Sequence, residues 1–472
     1  MDLRKLTVER VDTRSNSAGT AARRGRHFRR LDLKERLSMK TYVTGLASLM
    51  VLLTAVDFYA AEPSSPSAIS EAVESFFASQ DPFVRQTVLP NIEKHRQSDC
   101  TLAFVDDKGA AVLNVHVTGQ LKRHQFLFGA CPPETKADLD PRFVAAWGSL
   151  FNYGVSQNAL KWGNVEKQQG RYDFSRIDQM LDLCRQHDVA LEYHFLTGYH
   201  PTWLAGLPVE ERGKCQKAFA RAILQRYKDR ISFFQVYNED WLTHIPRAAV
   251  YFDQTEFFAE LTREFPHVKF GVADCWSLDS SYPLPDPATL KERYPGISFV
   301  AAHAHKPRRL WASPEQMYQN FDKYLGSGVK IHLTEYGIDS GQIEGSYRQG
   351  TWTEEMKAEC FVQVRAVAFS HPAVESINHW DMGPGVRSRT YNAMLNEDFS
   401  PKPAYAALQD LIQRRFGTVI DGRSNEDGEY QFRGFHGRYE IAVENQAGRR
   451  STLSFVLAPD STNHRFVVGG AP

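Results

Sequence analysis

Between Phe126 and Asp381, short apolar stretches alternate with longer stretches of helical period, and this alternation constrains the fold more than any other feature of the sequence. The apolar stretches are rich in β-branched and aromatic residues, as is typical of buried strands. The longer stretches place apolar residues at helical spacing. Eight strand candidates result, at residues 126–131, 151–157, 189–196, 231–238, 268–274, 297–304, 329–335 and 376–381.

Eight strands that alternate with helices predict an α/β fold, a (β/α)8 TIM barrel, over residues 125–415. A large core is available, because 42% of the residues are hydrophobic and 24% are charged. The formal net charge of zero excludes a global basic field of the kind that attracts nucleic acid. The helix candidates lie at residues 175–187, 209–228, 314–326 and 353–370, with a last helix from Pro403.

The segments on either side of the barrel are predicted to form small β-rich units. Residues 68–124 begin with a helix at residues 68–96 and continue as alternating strands with an Asp-Lys-Gly turn at residues 107–109. Residues 416–472 alternate throughout and are rich in turn residues, which indicates a small antiparallel β domain. The six cysteines form no CxxC pair, so isolated buried thiols are expected and neither a zinc site nor a disulfide framework is indicated.

The amino-terminal region carries a targeting pattern. Residues 1–38 are basic and polar, and we expect them to be disordered or to precede the true start. Residues 39–61 predict a signal peptide, because Lys40 is followed by an uncharged apolar stretch and then by two small residues. Residues 62–67 form a Pro/Ser linker. The pattern predicts a secreted or periplasmic protein; an uncut signal that anchors the protein to the membrane is the alternative.

Polar side chains gather at the predicted carboxyl ends of the strands, where barrels of this kind place their reactive groups. The fourth strand ends in Asn238-Glu239 and the seventh in Thr334-Glu335. Two carboxylates on these strands would face each other across the barrel mouth, as retaining glycosidases require. Other strands end near Asn158, Lys161, His194, His303, His305, His379 and Trp380.

Each of these residues also has an ordinary structural interpretation. A single glutamate at a strand end is usually a cap or a surface ion pair. A lone histidine is more often a satisfied polar group than a catalytic one, Trp380 could pack in the core, and Lys161 could be solvated. The joint pattern favours a site, because the polar residues lie at predicted strand ends and not at strand starts.

Six motifs then carry a resemblance to one family. They read "QNALKWGNVEKQQGRYDFSRID", "YHFLTGYHPTW", "FQVYNE", "AAHAH", "IHLTEYGID" and "AMLNEDFSPKPAY" in chain order. Residues 125–412 resemble, through these motifs, the family 10 glycoside hydrolases, which are retaining endo-β-1,4-xylanases. The resemblance implies that Glu239 is the acid/base, that Glu335 is the nucleophile, and that neither a metal nor an organic cofactor is needed.

The same resemblance implies the residues that surround the substrate, a polysaccharide. Asn158 and Lys161 would bind the glycone sugar, and Asn238 would bind the sugar beside the acid. His194 matches the first histidine of the third-strand motif. His305 would contact the nucleophile, with His303 in place of a glutamine. The expected substrate-binding residues are Asn158, Lys161, His194, Asn238, His303, His305 and Trp380.

Several positions depart from the family pattern. The third-strand motif is two residues shorter, so His200 is only a candidate for its second histidine. Tyr336-Gly337 follows the nucleophile where the family has Leu-Asp. The loop after the eighth strand lacks the usual tryptophan and carries Arg387 and Arg389, which could pair with an acidic substituent such as a glucuronate. Three hypotheses stay open: a xylanase, a related β-glycanase that acts on glucan or mannan, and a carbohydrate-binding barrel without catalysis.

Overall fold

The computed structural model describes residues 70–134, 139–239, 249–275, 278, 283–304, 310–338, 341–344, 347–384 and 392–469. The predicted basic segment, signal peptide and linker lie outside the described residues, as do His305, Arg387 and Arg389. Within the described part of the chain, no helix combines the length and the apolar character that a membrane crossing requires.

Strands and helices alternate along most of the chain. The strands are β1 (Gln97–Val105), β2 (His116–His124), β3 (Leu127–Ala130), β4 (Tyr153–Val155), β5 (Ala190–Tyr193), β6 (Phe233–Tyr237), β7 (Lys269–Cys275), β8 (Phe299–His303), β9 (Lys330–Tyr336), β10 (Gln342–Ile343), β11 (Gly350–Thr351), β12 (Val374–His379), β13 (Val419–Arg423), β14 (Glu429–Phe435), β15 (Gly437–Glu444), β16 (Arg450–Leu457) and β17 (Asn463–Val467). The helices are α1 (Glu71–Phe77), α2 (Leu89–Arg96), α3 (Pro141–Leu150), α4 (Trp162–Val165), α5 (Ser175–Gln186), α6 (Val209–Tyr227), α7 (Gln254–Glu264), α8 (Pro287–Arg293), α9 (Pro314–Asp322), α10 (Glu354–Ser370) and α11 (Pro403–Gln409), with a 3₁₀ turn at Thr202–Gly206 and π turns at Val84–Val88 and Asp410–Arg415.

Eight parallel strands close into the predicted barrel. Their order around it is β12-β3-β4-β5-β6-β7-β8-β9, so each strand but the last lies beside its successor in sequence. Each of the eight predicted strands is confirmed. β12 ends at His379, two residues before the predicted end, so Trp380 follows the strand; its backbone N–H still bonds the carbonyl of Tyr336 on β9.

One helix of the prediction is broken in two. The sequence predicts a single helix from residue 68 to residue 96, but α1 ends at Phe77 and helical backbone resumes only at Pro82. Pro82 lacks the N–H that a helix interior needs, and it therefore stands in the first turn of the second segment. The Asp81 carboxylate accepts the N–H of Phe83 at 2.9 Å and so caps the second segment.

The two flanking β-rich units form one pair of sheets, which corrects the expectation of separate units. β2 pairs with β13 and β15, and β16 completes this four-stranded sheet. β1 pairs with β14 and β17 in a three-stranded sheet. The sheets share an apolar core that includes Leu102, Val117, Tyr439 and Phe455. The strand pattern could be predicted from sequence, but the pairing joins segments on opposite sides of the barrel sequence, and alternation carries no information about partners.

The paired sheets contact the amino ends of the barrel strands through two arginines. Arg123, at the end of β2, donates to the carbonyls of Gly148 and Phe151, which precede β4. Arg96, at the end of α2, donates to the carbonyl of Val374 at 2.9 Å, at the start of β12, and also to Phe369 and His371. The sheets therefore brace the end of the barrel opposite the strand ends that hold the predicted site.

We predict that Arg96→Ala lowers the free energy of unfolding by about 2–4 kcal/mol, because three partly buried carbonyls lose their donor. Chemical denaturation measures the change. The matched control is Arg433→Ala, whose exposed ion pair with Asp99 should be worth less than about 1 kcal/mol. Equal losses in the two variants would contradict the bracing role of Arg96.

Candidate active site

Two buried carboxylates meet at the carboxyl end of the barrel. Glu239 follows β6 and is 5% exposed, and Glu335 lies near the end of β9 and is 4% exposed. His303, the last residue of β8, lies between them. Its Nδ1 is 3.0 Å from Oε1 of Glu239, and its Nε2 is 3.3 Å from Oε1 of Glu335. One imidazole ring therefore contacts both of the carboxylates that the sequence places across the barrel mouth.

The charges around His303 favour its protonated form. Burial alone would lower its pKa, but the charge of Glu335 and the hydrogen bond and charge of Glu239 together raise the pKa above its ordinary value. An imidazolium at this position offsets the negative charge of two carboxylates that share a small buried space. His303 is therefore the electrostatic link between the two groups.

His194 approaches the same carboxylate from β5. Its Nε2 is 3.5 Å from Oε1 of Glu335, and its Nδ1 is 2.7 Å from Oε1 of Gln235 on β6. Burial lowers the pKa of His194 to about 3, despite the attraction of the Glu335 charge, so the ring is neutral at neutral pH. Its ring packs edge-on against Trp380 at 5.6 Å between centroids.

A chain of buried polar side chains continues below His194, inside the barrel. The amide nitrogen of Gln235 donates to Oε1 of Glu192 at 2.5 Å, and the Tyr153 hydroxyl donates to Oε2 of Glu192 at 2.6 Å. His332 Nδ1 lies 2.7 Å from the same carboxylate. His332 Nε2 lies 2.9 Å from Glu375, a partly exposed residue near the start of β12. The chain thus runs from the site to the opposite end of the barrel.

The loop after β4 is fixed by another buried carboxylate, that of Glu134. It accepts the backbone N–H groups of Gln157, Asn158 and Ala159 at 2.6–3.0 Å. This places Asn158 Oδ1 3.2 Å from the Lys161 ammonium, which is buried and lies 3.8 Å from the centre of the Tyr199 ring. Lys161 also contributes to the low pKa of His194, so the pair belongs to the same site.

The chain is similar to known proteins both in sequence and in structure. The family model described as "Glycosyl hydrolase family 10" matches residues 119–265. "Endo-1,4-beta-xylanase 2" of Arabidopsis thaliana is 23% identical over 350 residues, which cover 71% of this chain and 31% of that protein. Xylanase 10B from Thermotoga petrophila, solved with xylobiose, aligns with a TM-score of 0.51 at 18% identity, over 62% of this chain and 95% of that structure.

The chain is therefore similar to glycosyl hydrolase family 10 over residues 119–265. The matched segment includes Glu239 and ends before Glu335, while the structural alignment shows the shared barrel fold. "Anti-sigma-I factor RsgI6" of Acetivibrio thermocellus is also similar, at 22% identity over 363 residues, or 75% of this chain and 45% of that protein. The chain spans less than half the length of the two curated relatives named here.

The barrel brings together most of the residues that sequence analysis selected. Glu335 contacts both His194 and His303, His303 also contacts Glu239, Trp380 packs on His194, and Asn158 and Lys161 lie beside them. The Asn238 Oδ1 is buried and accepts no hydrogen bond within the described part of the chain. The roles assigned to these residues stay predictions, and that of His305 lies outside the described residues.

His379 and His200 do not reach the two carboxylates through any described contact. Nε2 of His379 lies within hydrogen-bonding distance of the carbonyls of Asp381 and Asn392, so it holds the loop after β12. His200 Nε2 contacts the Gln216 side chain at 2.8 Å and packs near Trp162. His200 therefore lies on the rim beside Lys161, in a position that supports the loop after β5.

The residues that orient the site from below were not predicted from the sequence. Glu192, Gln235 and His332 interrupt strands that are otherwise apolar, and Glu134 lies in a loop. A polar residue inside a buried strand is a usable signal, because it must find a partner when the strand is buried on both faces. The partners could not be predicted, since they come from strands far apart in sequence.

The contact of His332 with Glu375 predicts how stability depends on pH. Burial opposes protonation of His332, but Glu192 and Glu375 raise its pKa from 6.5 to about 9, so its contribution is present below pH 6.5 and lost as pH rises through 9. Burial opposes ionisation of Glu375, but His332 lowers its pKa from 4.5 to about 2, so its contribution is present above pH 4.5 and lost as pH falls through 2.

We therefore expect this pair to contribute most between pH 4.5 and 6.5. Urea unfolding of the wild type should show a free energy of unfolding that falls at acid pH and at alkaline pH. In Glu375→Gln the fall at acid pH, worth about 2 kcal/mol, should be absent, and the fall at alkaline pH should be smaller. Glu397→Gln, at an exposed position, is the control and should keep the wild-type profile. An unchanged profile for Glu375→Gln would rule out this ion pair as the source of the dependence.

Proposed function

We propose that the protein is a retaining endo-1,4-β-xylanase that hydrolyses internal β-1,4 bonds of xylan by double displacement. The observation that carries the proposal is the pair of buried carboxylates, Glu239 and Glu335, joined by His303 at the mouth of a family 10 barrel. The xylanase names of the relatives and the xylobiose in the related structure support xylan as the substrate.

In the first step Glu239 acts as the general acid. It protonates the glycosidic oxygen while Glu335 attacks the anomeric carbon, so the leaving sugar departs and a covalent glycosyl-enzyme forms. Glu239 becomes ionised as it gives up its proton, and His303 beside it offsets the new charge. His303 also keeps Glu335 beside a positive charge, which favours the ionised form that attacks.

In the second step Glu239 acts as the general base. It removes a proton from water, the water oxygen attacks the anomeric carbon, and the bond to Glu335 breaks. Two inversions give overall retention of configuration. Asn238 Oδ1, which accepts no hydrogen bond from the described residues, would bind a sugar hydroxyl beside the acid. Lys161 and Asn158 then bind the glycone side, next to Tyr199.

We also propose that the protein is exported, on the pattern of residues 39–61. A secreted enzyme suits a polymeric substrate that cannot cross a membrane. Amino-terminal sequencing of the exported protein should find a start after Ala61; a start at residue 1 would argue against cleavage of this signal.

Replacing the two glutamates should have different kinetic effects. Glu335→Ala should reduce kcat on xylan by at least about 10⁴-fold, since no covalent intermediate can form. Glu239→Ala should show a similar loss of kcat on xylan. It should still form the glycosyl-enzyme from an aryl xyloside whose leaving group needs no protonation. Thermal unfolding of both variants checks that they are folded. Hydrolysis of xylan by Glu335→Ala at the wild-type rate would refute the assignment of Glu335 as the nucleophile.

A substrate panel tests the glycan and the stereochemistry. We expect release of reducing ends from xylan, with the β-anomer first seen by NMR. Release from a β-glucan or a mannan instead would favour the related β-glycanase, and first appearance of the α-anomer would exclude double displacement.

A second function is a carbohydrate-binding regulator without catalysis. The observation that favours it is the similarity to an anti-sigma-I factor over 75% of this chain. A 2-fluoro-xylosyl fluoride separates the two functions, because only a catalytic Glu335 traps it as a stable glycosyl-enzyme. Mass spectrometry that finds the adduct on Glu335 supports the enzyme; xylo-oligosaccharide binding without an adduct supports the regulator.

A further inference from the structure

Three atoms that are good metal ligands converge on one point of the site. They are Nε2 of His194, Nε2 of His303 and a carboxylate oxygen of Glu335, and all lie within 4.8 Å of one another. The two nitrogens are 3.5 and 3.3 Å from the same oxygen, Oε1 of Glu335. All three side chains are buried, and they come from three different barrel strands or strand ends, β5, β8 and β9.

The two nitrogen–oxygen separations fit four-coordinate zinc. Bonds of about 2.0–2.2 Å in a tetrahedron place neighbouring ligand atoms roughly 3.3 Å apart. Both nitrogen–oxygen separations are close to this value, and the two nitrogens lie within 4.8 Å of each other. Two imidazoles and one carboxylate are also a ligand set that suits zinc and cobalt better than magnesium or calcium, which prefer oxygen ligands.

The other nitrogen of each ring is oriented as in known metal sites. The amide nitrogen of Gln235 donates to Glu192, so the amide oxygen faces His194 and must accept the proton of Nδ1. Nε2 of His194 therefore keeps its lone pair. Nδ1 of His303 contacts Glu239, and an ionised Glu239 accepts its proton in the same way. A histidine held through Nδ1 by a carboxylate or carbonyl oxygen is the usual outer arrangement around bound zinc.

We propose that His194, His303 and Glu335 bind a divalent transition-metal ion of the zinc class, and that this ion competes with the glycan for the site. The bound ion occupies the oxygen that attacks the anomeric carbon, so the metal-bound protein cannot start the first displacement. Binding of the ion does not depend on the proposed hydrolase activity; only the inhibition rests on it.

Cobalt is the probe for the coordination, with the full chain treated with a chelator and then dialysed. One equivalent of Co²⁺ should give the intense visible bands of a four-coordinate ion, and Zn²⁺ should remove them. Failure to develop these bands at one equivalent would overturn the proposal.

Matched substitutions test which residues hold the ion. Calorimetry with Zn²⁺ should show affinity reduced by about 100-fold or more in His303→Gln and in His194→Gln, and by about 10–100-fold in Gln235→Leu. The control is His200→Gln, the same substitution on the same rim, which should change the affinity by less than about threefold. Equal affinities in His303→Gln and His200→Gln would place the ion elsewhere and overturn the proposal.

Thermal unfolding shows whether each variant is folded. Without metal each variant should unfold cooperatively, and Zn²⁺ should raise the Tm of the wild type and of His200→Gln but not that of His303→Gln. If His303→Gln does not fold, Glu335→Gln removes a ligand with almost no change of volume and should show the same loss. A Zn²⁺-dependent rise in Tm that survives both substitutions would overturn the site.

Kinetics then separate the metal site from the hydrolase. Zn²⁺ should raise the apparent KM for xylan and leave kcat unchanged, as a competitor of the substrate does. Cobalt bands in a protein that hydrolyses no glycan would refute the hydrolase and leave the metal site standing. Competitive inhibition by Zn²⁺ in a protein that gives no cobalt bands would instead count against the metal site.

Discussion

The fully buried carboxylate of Glu192 is the constraint on which the rest of the site depends. A charge in the interior of a barrel must be paired and hydrogen-bonded, and here Tyr153, Gln235 and His332 supply the partners. Satisfying Glu192 fixes the amide of Gln235, and that amide fixes His194. The orientation of the reactive end is therefore set from inside the barrel.

The two ends of the barrel are held by different interactions. At the carboxyl end, His303 joins two carboxylates whose chemistry needs them close together. At the amino end, Arg96 and Arg123 bind backbone carbonyls ahead of the strands and tie the paired β sheets to the barrel. The brace therefore holds the barrel without touching the site.

The predicted site differs from the family pattern in the residues that surround the two glutamates. A histidine at position 303, where the resemblance implies a glutamine, adds a second imidazole that can carry a positive charge or bind a metal. The short loop after β5 places Tyr199 over Lys161. The proposed hydrolysis and the proposed metal binding share Glu335, and the second depends in addition on the two imidazoles beside it.

The sequence by itself determined the barrel, its strands and the identity of its strand-end residues. Hydrophobic periodicity is local, so it can be read along the chain, and the glutamates lie at strand ends that the pattern locates. Only the tertiary structure decided that one imidazole touches both glutamates, that Glu192 orients His194 through Gln235, and that strands on both sides of the barrel sequence pair with each other. These facts are contacts between residues far apart in sequence, and they arise from closing the barrel, which no local pattern records.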